Sequence, residues 1–351
     1  MPPPPSTLDY PFADRQPEPA TTIEVAPGVR WIRMGLPFAL DHINLWLLRD
    51  TLDGREGWTV VDTGIHHADT RAQWEQLFAG EMQGLPVLRV VVTHMHPDHV
   101  GFAHALCERW QCELWISALD YYAACTGTAG LAGFGGEATA RFFASHGLAD
   151  AEVLALVRSR EGHYASLVPA LPPRFRRLSD GATLRIGGRD WLCISGQGHS
   201  PDHMALYCGE LGVLVSGDMV LPRISTNISV YDIEPEADPL TAFLASLQKF
   251  LALPAATLVL PSHGRPFTGL HARVGQLLAH HEERLAEVLA ACRARPHTAV
   301  DMLPVLFRRT LDAQQTLFAL GESLAHLHAL RGQGRLRRRR GEDGAWRFEA
   351  A

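Results

Sequence analysis

The sequence lacks several features that would place it in common classes of protein. It has one lysine, Lys249, and a net charge of −6 over 351 residues, so arginine or backbone amides must recognise any phosphate or carboxylate. No apolar run approaches the length of about 18 residues that spans a bilayer. The N-terminus has neither the basic region nor the apolar core of a signal peptide. The sequence therefore favours a protein that works away from the membrane.

The six cysteines include no CxxC pair and show no spacing typical of a disulfide framework. Reduced cysteines that act as small buried hydrophobic residues are the simplest interpretation, and they predict a cytoplasmic location. Hydrophobic residues make up 46% of the chain and charged residues 20%, which is typical of a folded globular protein.

The hydrophobic pattern divides the chain into three regions. Residues 1–20 are rich in proline and predict an extended lead-in. Residues 21–268 alternate between strand-like runs and helical stretches, which predicts a layered α/β domain. Within them, residues 118–175 break the alternation and predict a helical insertion, either a lid or plain padding. Residues 269–351 have three helical stretches and a basic hairpin, the outline of a winged-helix domain.

The stretch VVVTHMHPDH places four side chains that can bind metal directly after an apolar strand. His94 and His96 can reach one point if the backbone turns there, and Asp98 and His99 then face a second point. Two metal ions about 3.5–4 Å apart are a known arrangement for hydrolysis. The alternative is a surface turn or a hydrogen-bond network, because imidazole and carboxylate groups are costly to bury without partners.

Three further residues that can bind metal each end an apolar strand. They are His199 in SGQGHSPDH, Asp218 in VLVSGDM and His263 in LVLPSHG. The two oxygens of a carboxylate such as Asp218 can bridge two ions, and the set leaves a position open for water, as a catalytic site requires. Each residue alone is as typical of a surface turn or a helix N-cap. Their order along the chain, at successive strand ends, favours a metal site.

Together with VVDTG around Asp62, these motifs resemble those of the metallo-β-lactamase-fold hydrolases over about residues 21–268. The resemblance implies an α/β (α+β) fold, an αββα sandwich of two packed sheets with helices outside. It implies that one metal ion is bound by His94, His96 and His199, the other by Asp98, His99 and His263, and that Asp218 bridges them. It also implies that Asp62 supports a ligand from behind and that Asp98 orients a hydroxide shared by the ions.

Two divalent metal ions are therefore the expected cofactors, zinc first, with manganese or iron as alternatives. Residues 269–351 resemble the winged-helix tail of one branch of this superfamily, which contains a mitochondrial endoribonuclease and many bacterial hydrolases. Such a domain can equally bind RNA, form a homodimer contact or wall the substrate pocket.

Two functions compete. The first is hydrolysis of a small acyl compound such as a thioester, lactone or related ester, for which Tyr231 and Asn227 are candidate oxyanion donors or simply polar loop residues. The second is a phosphodiesterase acting on RNA, with Arg335 and Arg337–Arg340 contacting phosphates. The negative net charge favours the first. An arginine run on a hairpin is also typical of a solvated face.

Departures from better-known relatives exclude other substrates. The β-lactamases of this fold carry a cysteine at the position of Asp218 or do without this carboxylate, so β-lactam hydrolysis is not expected. Persulfide dioxygenases use a single iron and lose the second ligand set, whereas Asp98, His99 and His263 are all present here. A complete set of ligands also argues against a binding protein without catalytic activity.

Overall fold

The computed structural model of the protein describes residues 8–131 and 135–351. Residues 1–7 of the proline-rich lead-in and residues 132–134 of the predicted insertion lie outside this part. The described chain forms two compact units that are interleaved along the sequence. The first contains the described residues up to Thr128, Tyr164–Thr226 and Ser246–Val274.

The first unit is built on two β-sheets. Seven strands form the first sheet in sequential order: β1 (Ile23–Ala26), β2 (Val29–Gly35), β3 (His42–Leu52), β4 (Arg55–Val61), β5 (Val87–Val91), β6 (Glu113–Ser117) and β7 (Phe175–Leu178). Strands β1 to β4 are antiparallel, and β4 to β7 are parallel. Asp53 and Gly54 both have positive φ in the β3–β4 turn, as a two-residue hairpin turn requires.

Five strands form the second sheet, in the order β12-β11-β10-β9-β8. They are β8 (Thr183–Ile186), β9 (Arg189–Gly196), β10 (His203–Cys208), β11 (Val213–Gly217) and β12 (Leu258–Pro261). Neighbouring strands are antiparallel except β11 and β12, which are parallel.

The two sheets share one hydrophobic core. Trp31 and Trp46 of the first sheet stack with ring centroids 6.3 Å apart, and the same buried cluster contains Trp191, Leu206 and Val215 of the second sheet. Every residue of β5 is buried, including Arg89, as expected of a parallel strand that is covered on both faces. The predicted packing of two sheets is therefore confirmed.

Helices alternate with the strands along the chain and follow the last strand of the second sheet. Their bounds are α1 (Ala68–Ala79), α2 (Pro97–Val100), α3 (Ala103–Trp110), α4 (Ala118–Thr128), α5 (Gly136–Ala144), α6 (Ala151–Ser159), α7 (His163–Leu167), α8 (Pro239–Lys249), α9 (Leu270–Ala294), α10 (Leu303–Leu306) and α11 (Ala313–Gly332), with short 3₁₀ turns at Phe250–Ala252 and Val300–Met302. Helix α1 contacts β2, and α3 contacts β5 and β6. Among the described residues, no helix combines the length and apolar character needed to cross a membrane.

The second unit contains Ala129–His163, Asn227–Ala245 and Gly275–Ala351. Within it, α11 packs on α6 and on β13 (Leu336–Arg340), which pairs antiparallel with β14 (Trp346–Ala350). This small C-terminal hairpin and its helices agree with the expected elements. The division at residues 268/269 and the winged-helix assignment stay predictions.

Candidate metal centre

The first three predicted ligands lie where two strands end. His94 and His96 follow β5, and Pro97 starts α2 immediately afterwards, because proline suits the first turn of a helix. His199 lies in the loop after β9. The distances between ring nitrogens are 2.8 Å from His94 Nε2 to His96 Nδ1, 3.0 Å from His96 Nδ1 to His199 Nε2, and 3.2 Å from His199 Nε2 to His94 Nε2.

These nitrogens are in a state that suits a cation. Burial, reinforced by the neighbouring imidazoles, holds the pKa values of His94 and His96 well below the ordinary value, so both rings are neutral. Neutral imidazole is the form that binds metal. A divalent cation at the convergence of three such nitrogens would satisfy lone pairs that cannot all be paired by one another's protons.

The second group is formed by Asp98, His99 and His263. His263 Nε2 lies 3.4 Å from Asp98 Oδ2, and His99 Nε2 lies 3.6 Å from the same oxygen. Ligand atoms of the three residues lie within 4.8 Å of one another. His99 is buried completely, and among the described residues its Nε2 atom has no hydrogen-bond partner.

Asp218 lies between the two groups. Its Oδ2 atom is 3.2 Å from His199 Nε2, and its Oδ1 atom is 3.5 Å from His263 Nε2 and 3.7 Å from His99 Nε2. Burial alone would raise the pKa of Asp218, but His263, His99 and His199 hold it well below its usual value. The Oδ1 atom is buried and accepts no hydrogen bond within the described part of the chain. An ionised carboxylate with such an oxygen fits a divalent cation.

The structure thus brings all seven predicted ligands together in the predicted groups. His94 and His96 are neutral and Asp218 is ionised, whereas neighbouring carboxylates raise the pKa values of His263 and His99 above the ordinary value. Burial lowers the pKa of His99, but Asp62, Asp98 and Asp218 outweigh this effect and raise it to about 10. A cation at Nε2 must therefore displace a proton. The assignment of each residue to a metal ion stays a prediction.

Asp62 lies behind His99, where the sequence places a supporting residue. Its Oδ2 atom accepts a hydrogen bond from His99 Nδ1 at 2.8 Å, and its Oδ1 atom accepts one from the Thr93 amide at 2.8 Å. With Nδ1 engaged, His99 presents Nε2 to the cluster. Asp62 itself has φ of +59°, a conformation that is uncommon outside glycine and often occurs at functional sites.

His203 is a buried residue that the sequence did not single out, and it holds the loop that carries Asp218. His203 Nε2 accepts a hydrogen bond from the Asp218 amide at 3.1 Å, and burial lowers the pKa of His203 to about 3. The preceding Gly217 is required here, since its φ is +52° and an added Cβ would lie 2.1 Å from His203 Nε2. The signal for His203 is present in the sequence, because the tripeptide Pro-Asp-His occurs at both 97–99 and 201–203.

Asp120, in the first turn of α4, joins the two loops that carry the histidines of the first group. Its carboxylate accepts hydrogen bonds from the Met95 amide at 2.9 Å and from the Asp202 amide at 2.7 Å. Burial raises the pKa of Asp120 to about 6 despite these hydrogen bonds. No motif marks this residue in the sequence.

The loop of His263 is held by β3. His263 Nδ1 donates to the carbonyl oxygen of His42 at 2.7 Å, and the Gly264 amide donates to His42 Nε2 at 2.7 Å. The buried Asn44 side chain donates to the carbonyl oxygens of Pro261 and Gly264 at 2.8 and 2.9 Å. These contacts join segments about 220 residues apart, so they left no local signal in the sequence.

The two candidate oxyanion donors belong to the second unit. Asn227 Oδ1 accepts a hydrogen bond from Ser229 Oγ at 2.8 Å, and burial raises the pKa of the Tyr231 phenol. Their role as oxyanion donors stays a prediction.

Comparison with known families covers most of the chain. Residues 39–263 match the model of the metallo-beta-lactamase superfamily, and residues 285–351 match the metallo-beta-lactamase-like C-terminal domain. A curated relative, the probable metallo-hydrolase YqjP of Bacillus subtilis, is 23% identical over 322 residues, which cover 86% of this chain and 92% of that protein.

Solved structures agree with these matches. A beta-lactamase domain protein from Burkholderia ambifaria is 52% identical, with 98% of each chain covered and a TM-score of 0.93. A metallo-beta-lactamase family protein from Thermus thermophilus is 28% identical, with 93% of this chain and 100% of that chain covered and a TM-score of 0.75.

The ligand geometry and the family matches lead to the same assignment. Proteins of this superfamily generally bind divalent metal ions, and this chain has the clustered histidines and aspartates to do so. The chain belongs to the metallo-β-lactamase superfamily and is a metallo-hydrolase with the C-terminal domain found in part of that superfamily.

Proposed function

We propose that the chain is a dinuclear hydrolase, with zinc as its metal, that cleaves small acyl compounds such as thioesters or lactones. The position of Asp218 carries the proposal of two metals. One of its oxygens faces His199 of the first group, and the other faces His99 and His263 of the second. A single carboxylate shared in this way suits two cations that lie side by side.

The chain's own residues supply orientation at this site. Two bound divalent cations would lower the pKa of a water toward neutrality and polarise the acyl carbonyl. Asp98 is open to such a water, because 18% of its side chain is exposed compared with 3% for His263. Its carboxylate can accept a hydrogen bond from the water and point the oxygen's lone pair at the carbonyl.

The arginines of the C-terminal hairpin bear on the competing proposal of RNA cleavage. Arg337 and Arg339 bond Glu349 at 3.0 and 3.2 Å, and Arg338 bonds Glu236 at 2.9 Å. These carboxylates neutralise charge that would otherwise attract phosphates, although exposed ion pairs are weak. The pairing supports a small substrate over RNA.

Metal analysis combined with a substrate screen tests the proposal. We expect about two zinc ions per chain in the purified protein, and hydrolysis of thioesters or lactones but not of single-stranded RNA. Asp218→Asn should retain less metal and lose at least about a hundredfold in kcat/KM, because the amide supplies one neutral oxygen in place of two charged ones. Asp53→Asn, in the exposed β3–β4 turn, is the matched control and should behave as the wild type.

Two results would contradict the proposal. A protein that binds one metal per chain, with Asp218→Asn retaining it, would exclude the dinuclear site. RNA cleavage that disappears when Arg337 and Arg339 are both replaced by Gln would favour the endoribonuclease instead.

A further inference from the structure

A cavity of about 450 Å³ opens beside the candidate metal centre, within the first unit. The residues that matter here are Tyr10, Arg33, His42, Arg223, His263 and Arg265, all of which line it. His263 belongs to both sites, since its Nε2 atom lies 3.5 Å from Asp218 Oδ1. A molecule in the cavity therefore borders the ligand cluster.

The cavity carries an excess of positive charge. Among its three arginines, Arg265 is neutralised by Asp14, whose Oδ1 atom lies 2.7 Å from Nη1, and its guanidinium also lies 5.2 Å from the centre of the Tyr10 ring. Arg33 and Arg223, by contrast, make no side-chain hydrogen bond or ion pair within the part of the chain that the structure describes. Two guanidinium groups are thus available to a ligand.

Arg33 is half-buried, so its charge is partly desolvated without a partner. Asp41, whose charge acts on Arg33, is already engaged, because His42 Nδ1 donates to Asp41 Oδ1 at 2.6 Å. Burial lowers the pKa of Arg33, with Asp41 opposing this effect and Arg265 adding to it. A charged group in this position is costly unless something pairs with it.

His42 adds shape to the cavity rather than charge. Its Nε2 atom accepts the Gly264 amide proton while Nδ1 donates to Asp41. The ring is therefore fixed in one neutral form. The planar guanidinium of arginine pairs well with carboxylate and phosphate oxygens. A chain with a single lysine depends on arginine for such pairing.

We propose that this cavity binds an anionic group of the acyl substrate, a carboxylate or a phosphate, and that Arg33 and Arg223 are its ligands. The inference rests on the proposed acyl hydrolase and specifies its substrate class, an acyl compound that carries an anionic group within reach of the scissile carbonyl. Neutral acyl compounds of the same length would lack a partner for the two arginines.

Anion binding to the metal-loaded, full-length protein tests the cavity without any turnover. Glutarate and inorganic phosphate are titrated separately by calorimetry into the wild type, Arg33→Met and Arg223→Met. We expect saturable binding of at least one anion and a loss of affinity of about tenfold or more in each variant. The tighter of the two anions identifies carboxylate or phosphate as the preferred group. Arg55→Met, at an exposed position of β4, should bind as the wild type.

A conservative variant guards against loss of folding. Arg33→Lys keeps the charge but not the planar fork, so it should recover part of the affinity lost in Arg33→Met. The inference is overturned if neither anion binds the wild type saturably, or if Arg33→Met and Arg223→Met bind both anions as tightly as Arg55→Met.

A matched pair of substrates separates this inference from the proposed function. The glutaryl and pentanoyl thioesters of N-acetylcysteamine differ in the terminal carboxylate. We expect kcat/KM to be at least about tenfold higher for the glutaryl compound, and this preference to disappear in Arg33→Met. Equal rates would overturn the anionic cavity while leaving the acyl hydrolase intact. If no thioester or lactone is cleaved, the proposed function fails, and the titrations alone decide on the cavity.

Discussion

Asp120 accepts hydrogen bonds from the loops on both sides of the first ligand group. The Met95 amide lies between His94 and His96, and the Asp202 amide lies three residues after His199. Because a carboxylate oxygen serves each loop, the spacing of three imidazoles depends on one buried side chain that touches neither metal nor substrate. Asp120 is therefore a positioning residue.

We expect Asp120→Asn to weaken metal binding by about 10- to 100-fold, the usual cost of removing a group that orients metal ligands. The amide keeps the size of the side chain but turns an NH₂ group toward one of the two backbone amides. Competition with a chelating dye measures the affinity. The exposed Asp69→Asn is the control, and equal affinities in the two variants would show that Asp120 has only a structural role.

The sequence could reveal the residues of the centre that belong to short motifs, and little else. His94, His96, Asp98 and His99 share one turn, so their spacing alone indicates a common site. Asp120 lies in the first turn of α4, where an acid is expected because it interacts favourably with the helix dipole. Its partners become visible only when two loops from different sheets meet around it.

Strands of the first sheet are joined to the second sheet by a buried charged pair. Arg89 of β5 bonds Asp50 of β3 at 2.6 Å, and both side chains are almost completely buried. Arg89 Nε also donates to Thr59 of β4 at 2.9 Å, and the Gly187 amide, in the β8–β9 turn, donates to Asp50 at 2.8 Å. The pair thus fixes four elements at once.

We expect Arg89→Met to lower the free energy of unfolding of the first unit by about 3–5 kcal/mol, because it leaves the buried Asp50 without its charged partner. Denaturation by urea, followed by tryptophan fluorescence, measures the change. The exposed Arg55→Met should cost less than about 0.5 kcal/mol. A similarly small change in Arg89→Met would mean that the hydrogen bonds to Thr59 and Gly187 are enough for Asp50.

At the level of elements, the sequence predicts which segments form strands and turns better than it predicts which distant segments pack against them. The run of valines in β5 and the Asp53-Gly54 turn are local signals, and both lead to the observed elements. Arg89 interrupts that apolar run and is typical of a solvent-facing position, yet it is 3% exposed. Its burial follows from strand pairing with β4 and from the approach of the β8–β9 turn, which involve distant parts of the chain.

At the level of the whole molecule, the sequence divides the chain into consecutive regions, whereas each compact unit combines segments that are separate in the sequence. The second unit combines Ala129–His163 and Asn227–Ala245 with the C-terminal region. Within this unit the Ala299 amide donates to the His146 carbonyl at 3.1 Å, and the Trp346 amide donates to the Ser145 carbonyl at 2.8 Å. Backbone pairing between residues about 150–200 apart leaves no signature in composition or periodicity, so the sequence pattern could not predict it.

The second unit should be sensitive to acid because it buries neutral histidines. Burial lowers the pKa of His146 and His326 to about 4 and that of His281 to about 3. Histidines with lowered pKa values stabilise the fold above pH about 6.5 and lose this contribution as the pH falls. Glu322 acts in the opposite direction, since burial raises its pKa to about 7 and its contribution grows as the pH falls from 7 toward about 4.3.

Together, these three histidines and Glu322 take up a net of about two protons on unfolding near pH 5. In the same unit, the lowered pKa values of His163, His297 and His328 act in the same direction as the three histidines, and the raised pKa of Asp232 acts in the opposite direction. We therefore expect the second unit to lose roughly 4 kcal/mol of stability between pH 7 and pH 5, with faster hydrogen exchange in α11 than pH alone causes. His281→Phe removes one titrating group whose Nε2 atom has no partner within the described residues, and it should reduce this pH dependence by about one half. His67→Asn, at the exposed N-cap of α1, should leave it unchanged. Equal protection of α11 at both pH values in the wild type would contradict the prediction. It would mean that the buried histidines become protonated without unfolding the second unit and without lowering its free energy of unfolding.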